Sequence, residues 1–261
     1  MAHRFRLRRA AAALAAVAFL TASPAAAAKK KKRKEPEPTA VPRPADPYRV
    51  TVTTADGVAL AASWRPVSGN EKAAAVLLIH DFSRERRELE PLAEKLGAAG
   101  YATLAIDLRA HGESTKKNGQ PIPISPRYLK DPNGFPRDVE AAAAWLKERA
   151  PKTAALGFSV GGYLALLAAA RGQVDAAIVI SVNEPRVAGL AGRSPPVPRS
   201  ILLLACAADP GRADSAKKLE AAAHAPKRLL VFPGAAHNLA LLREHPEAEK
   251  AVFDWLSERL K

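Results

Sequence analysis

The chain has one cysteine in 261 residues, Cys206, so an internal disulfide is excluded and the fold must be held by its core alone. Aromatic residues make up only 5% of the chain, while the apolar share reaches 48%, much of it alanine. Small apolar side chains in such numbers imply helices and strands whose backbones approach closely. No His/Cys/Asp/Glu run has metal-ligand spacing, and there is neither a phosphate-binding loop nor a dinucleotide fingerprint, so no cofactor is expected. Residues 1–34 hold no aspartate or glutamate but ten of the 40 lysines and arginines. The formal charge of +14 is therefore mostly a property of that stretch, and the remainder, near +4, has the balance of an ordinary soluble surface. No basic–aromatic pattern continues beyond it, which argues against nucleic acid as a partner.

The N-terminal stretch has internal order. Met1 to Arg9 is basic, Ala10 to Leu20 apolar, and Ala26-Ala27-Ala28 offers small residues for cleavage. This is the pattern of a secretory signal peptide, 1–28, with an uncleaved anchor as the alternative. Export would place the protein in the periplasm, the cell envelope or the medium. Lys29 to Lys34 then forms a basic run, followed by a proline-rich linker to residue 47. The run reads either as a solvated tail or as a weak contact for anionic envelope polymer or lipid, at about 1 kcal/mol per charge near such a surface.

From residue 48 a domain to 261 is expected. Tyr48–Thr53 and Val58–Trp64 alternate as strands around the turn Asp56-Gly57, predicting an antiparallel hairpin. A continuous apolar run follows at 73–79, and further strands are read at 101–106, from Thr153 into the turn at Gly157, and at 175–181, 201–205 and 227–232, alternating with helical stretches, one of them starting at Asp138 as an N-cap. The order predicts an α/β fold with a doubly wound, mostly parallel sheet of eight strands.

Gly157-Phe158-Ser159-Val160-Gly161 sits between a buried strand and a helix. A serine on so sharp a turn is lifted above the sheet, and small residues two before and two after are needed where strand and helix meet. A hydroxyl is a poor nucleophile near neutral pH and needs a base, which in turn needs an acid to orient it. His237 lies in the loop after the last strand, where ligands gather in open α/β sheets. Asp209 follows the strand ending near Ala205; Glu184, after the preceding strand, is the other acid in a suitable place. Cys206, at a strand end, reads as a small buried hydrophobe.

Taken together these residues resemble the α/β-hydrolase superfamily, over about residues 48–261. Leu77-Leu-Ile-His80 is similar to the end of its third strand, and Asp107-Leu-Arg-Ala-His-Gly-Glu-Ser114 to its D-x-R-G-H-G-x-S segment, in which Asp107 and His111 would hold the loop. The resemblance implies an oxyanion hole made by the backbone N–H groups of Val160 and Phe82. It implies a serine hydrolase cleaving a small-molecule ester or related acyl bond through Ser159, His237 and Asp209. Thioesterase, lactone hydrolase and aminopeptidase chemistry use the same machinery, and a catalytically idle envelope-binding protein could keep the fold. Two positions depart from the pattern: Ala110 and Asp81 each stand where relatives carry glycine. A carboxylate at 81 is unfavourable beside a developing oxyanion unless it points away or pairs, with Arg84 and Arg86 in reach by sequence. The segment Val182–Ser200 is too short for a helical lid, and the loop 116–137, with five prolines, would rim an open pocket.

Overall fold

The computed structural model describes residues 45–193 and 196–261. The signal peptide and the Lys29–Lys34 run expected from the sequence lie outside the described residues.

Eight strands form one sheet: β1 (Arg49–Thr53), β2 (Ala59–Arg65), β3 (Ala75–Ile79), β4 (Ala102–Ile106), β5 (Thr153–Phe158), β6 (Ala176–Ile180), β7 (Arg199–Cys206) and β8 (His224–Phe232). Their spatial order is β1-β2-β4-β3-β5-β6-β7-β8. β1 pairs antiparallel with β2, and β2 antiparallel with β4, while every pairing from β4 through β8 is parallel. The expected doubly wound, mostly parallel sheet with an N-terminal hairpin is what forms.

The apolar runs behave as strands buried on both faces should. Along β3, Leu77 and Ile79 point into one core and Val76 and Leu78 into the other, since successive side chains leave a strand on opposite sides. The first core is closed by α2 (Phe135–Lys147), α3 (Val160–Ala170) and α5 (Arg212–Ala222), through Val139, Leu164 and Leu219. The second is closed by α1 (Glu90–Ala98) and α6 (Pro246–Leu260), through Leu92, Leu96, Val252 and Trp255. Helix α3 is buried at every residue but its last, as an all-apolar helix must be.

Some local expectations are corrected. Helix α2 begins at Phe135 with Gly134 as its cap, so Asp138 is not the N-cap but lies fully buried in the first turn. Its carboxylate accepts from the Arg109 backbone N–H and guanidinium, both at 2.9 Å, and this buried pair outbids a capping role. Among the described residues of Val182–Ser200 there are short helical turns, α4 (Glu184–Val187) and a 3-10 turn at Ala188–Ala191, and nothing long enough to cap the site as a domain.

Candidate active site

The C-terminal ends of β5, β7 and β8 converge at one edge of the sheet, and each delivers one of the three side chains singled out in the sequence. Ser159 ends β5 with φ 52° and ψ −111°, a conformation L-residues rarely adopt, and its N–H donates to the carbonyl of Ile180 at 2.8 Å. The tightness of the turn follows from its glycines. A Cβ on Gly161 would lie 2.3 Å from the Ile79 carbonyl oxygen, and one on Gly157 only 2.0 Å from that of Gly161. Only hydrogen lets strand β3, the elbow and helix α3 come this close.

His237 lies in the loop after β8, half-buried, and its Nδ1 stands 2.7 Å from Oδ2 of Asp209. Asp209 is buried just past β7, and its other oxygen pairs with the Arg212 Nε at 3.4 Å. A carboxylate so placed holds one imidazole tautomer, with Nδ1 protonated and Nε2 free to face the cavity. Ser159 and His237 both line that cavity, about 270 Å³ in volume, together with Phe82, Asn183, Arg186 and Leu129. Leu129 comes from the proline-rich loop expected to rim the site, and Asn183 and Arg186 from the segment after β6. Glu184 is turned away from this cluster, bound to Lys218 at 2.8 Å, so Asp209 is the acid that meets the histidine.

The loop after β3 is held at both ends. His80 is fully buried; its Nδ1 lies 2.6 Å from the Asp81 carbonyl and its Nε2 accepts from the Leu108 N–H at 3.0 Å. Burial pushes its pKa down to about 4, against the pull of the Asp81 carbonyl, so the ring stays neutral and structural. Six residues on, Arg86 is entirely buried, bonded to Asp107, Asp46, Glu113 and Ser63. Asp107 also accepts from the N–H groups of Arg86 and Glu113 at 2.7 and 2.9 Å, which makes it the loop-holder the motif implied. His111 takes the Arg109 carbonyl and packs edge-on against the Phe82 ring, 5.1 Å between centroids.

Between these anchors Asp81 does the unexpected. It pairs with neither Arg84, which binds Glu88, nor Arg86, which is committed to Asp107. Its Oδ1 instead accepts the backbone N–H of Phe82 at 2.6 Å, and its Oδ2 accepts from the Asn238 amide at 2.9 Å. Oδ2 also stands 3.8 Å from Nε2 of His237, a close charge pair but too long for a hydrogen bond. Burial would raise the Asp81 pKa, yet interaction with His237, the Phe82 N–H, Ser159 and Asn238 together hold it below the ordinary carboxylate value. It is ionised at neutral pH.

Asn238 was not singled out in the sequence. It has φ 55°, its N–H donates to Ser181 Oγ at 3.0 Å, and its Oδ1 is buried without a partner. Its place beside His237 was the only signal. That it would turn its amide onto Asp81, 157 positions earlier, depends wholly on the fold.

The sequence profile of the family described as serine aminopeptidase, S33, matches residues 70–184, which span β3, the loop just described and the elbow. No curated protein matches the chain in sequence. Solved structures match over most of its length. An esterase of Pyrococcus furiosus aligns over 82% of this chain and 92% of its own at 18% identity, with a TM-score of 0.64. The dienelactone hydrolase of Anabaena variabilis aligns over 82% and 98% at 22% identity, TM-score 0.62. Est1E of Butyrivibrio proteoclasticus, solved with ferulic acid bound, aligns over 80% and 98% at 18% identity, TM-score 0.63. At such identities the likeness is one of fold.

Proposed function

We propose that this chain, which has the α/β-hydrolase fold, is a serine carboxylesterase acting through Ser159, His237 and Asp209, as the seating of those side chains supports. The observation that carries the proposal is the 2.7 Å contact between His237 Nδ1 and Asp209 Oδ2 on the wall of the cavity that Ser159 also lines. In this mechanism His237 Nε2 takes the hydroxyl proton as Ser159 Oγ attacks the acyl carbon. The tetrahedral oxyanion is met by the Val160 N–H at the start of α3, with Phe82 as the second donor. Collapse expels the alcohol, which receives the proton from His237, and leaves an acyl-enzyme. Water then enters, gives its proton to His237, and releases the acid with Ser159 restored.

A cavity of about 270 Å³ supports a short or compact acyl group. Lactone, thioester and peptide cleavage need the same groups, so acyl esters are the first substrates to try. Hydrolysis of chromogenic esters from acetate to octanoate tests the proposal beside Ser159→Ala. Turnover that disappears in the variant is the expected result; equal turnover in both removes Ser159 from the reaction.

The second reading is an idle binding protein. It draws on one observation, the carboxylate of Asp81 lying against the Phe82 N–H. A folded protein with no turnover on any ester, thioester or lactone would favour it.

We further propose that residues 1–28 direct export and are removed, with Lys29–Lys34 left as a basic tail meeting anionic envelope polymer or lipid. The intact mass of the protein from its native host checks the cleavage, and binding to anionic against neutral vesicles with and without residues 29–34 checks the tail.

A further inference from the structure

An acyl-transfer site needs its oxyanion donors empty when substrate arrives. In this molecule one of the two implied donors is in use. The Phe82 N–H is held by Asp81 Oδ1 at 2.6 Å, a short contact to a charged acceptor. The carboxylate that holds it is ionised, interacts with the Ser159 side chain and lines the same cavity, so it can stand in for the oxyanion of a tetrahedral intermediate. A neutral carbonyl oxygen competes poorly with a carboxylate for one N–H.

The carboxylate is also seated and not merely passing. Asn238 reaches Oδ2 at 2.9 Å, and Asn238 itself is fixed through its N–H to Ser181. The N–H of Arg84 closes the turn onto the Asp81 carbonyl at 3.2 Å, and the buried His80 and Arg86 pin the loop on either side. The loop backbone is therefore braced, leaving rotation of the Asp81 side chain as the movement that can free the Phe82 N–H.

Resting on the serine-hydrolase reading, we propose that Asp81 is a stopper for the oxyanion hole: its carboxylate fills the place the acyl oxygen needs, and turnover runs only through the conformer in which that side chain has left Phe82. Asp81 is then the residue that sets the rate of this enzyme, holding it below what its triad could deliver. In the closed conformer Oδ2 borders Asn238 Nδ2 at 2.9 Å and His237 Nε2 at 3.8 Å. His237 is also faced by Asp209 and Arg212, so its own titration must be separated from the stopper by measuring on the alkaline plateau.

The test is Asp81→Ala, with Asp81→Asn as the variant that keeps the side-chain volume and Asp81→Ala/Ser159→Ala as the control for background. Plateau kcat is expected to rise on the order of 10²-fold in Asp81→Ala, the scale on which one oxyanion donor acts, with a smaller rise in Asp81→Asn. A phenylboronic acid, whose serine adduct puts an oxyanion in the hole, is expected to bind at least about tenfold tighter to Asp81→Ala. A third readout does not depend on activity: with 15N-labelled phenylalanine, the Phe82 amide proton of the wild type should resonate far downfield and move upfield in Asp81→Ala. Ser159-dependent turnover that stays equal or falls in folded Asp81→Ala overturns the stopper and leaves the hydrolase standing. A Phe82 amide that does not move overturns it as well. Absence of turnover and of boronate binding in both proteins, with the amide shifting as expected, instead counts against the hydrolase reading and removes the stopper's purpose with it.

Discussion

Oδ2 of Asp81 faces Nε2 of His237 at 3.8 Å, so the imidazole lies between two carboxylates, with Asp209 at 2.7 Å on the other nitrogen. Asp81 and Asp209 both raise the histidine pKa, against partial burial and the Arg212 charge. A base must be neutral to accept a proton, so the acid limb of kcat/KM should lie above the ordinary histidine value. Asp81→Asn should move that limb toward lower pH, whatever it does to the plateau; a limb that does not shift would show that the pair is not felt in solution. The same sign governs stability. The stabilisation that these carboxylates give to protonated His237 is fully present below the unfolded histidine pKa and is lost as pH rises through the raised folded value.

Asp209 orients His237 from a buried position, and its loss should be costly without unfolding the protein. Asp209→Asn keeps the volume but offers the imidazole an amide, which permits the wrong tautomer. We expect kcat to fall on the order of 10⁴-fold with little change in KM, measured on the best ester found.

Gly161→Ala tests the elbow. The added methyl would lie 2.3 Å from the Ile79 carbonyl oxygen and 2.6 Å from that of His80, both backbone atoms that cannot step aside. Denaturant unfolding should show a loss of at least about 1–3 kcal/mol, and activity should fall further as the elbow separates from the loop carrying Phe82.

Ala110 has a φ of 64°, in the left-handed region that favours glycine. A Cβ in the left-handed region costs about 1–2 kcal/mol, partly offset by the extra freedom glycine has when unfolded. Ala110→Gly should therefore stabilise the protein by about 0.5–1 kcal/mol, read as a higher thermal midpoint with unchanged kcat.

Asp138→Ala should be far more damaging than its place on a helix suggests. Arg109 is 4% exposed and shared between Asp138 and Asp56. Removing Asp138 leaves part of a buried guanidinium and the Arg109 N–H without partners, at a cost of about 3–5 kcal/mol. Equilibrium unfolding gives the number, and a loss under 1 kcal/mol would mean that Asp56 and water compensate.

The residues themselves determined the strand runs, because a parallel strand covered on both faces must be apolar throughout, and β3, β5 and β6 have no other way to be stable. They determined the elbow too, since glycine at 157 and 161 with serine between is a demand of local sterics, legible within five residues. The loops holding Asp209 and His237 could be named because each follows a strand directly. Boundaries were less legible: α2 starts three residues before Asp138 because Arg109, 29 positions away in the chain, claims that carboxylate. The partner of Asp81 was equally out of reach. Arg84 and Arg86 were near in sequence, yet one was taken by Glu88 and the other by a buried cluster. Only the packing of β3 near the loop after β8 brought Asn238 and His237 to it. Local sterics and burial act between neighbours and can be read along the chain. A charge chooses its partner among all the groups the fold brings within a few ångströms, and that choice belongs to the tertiary structure.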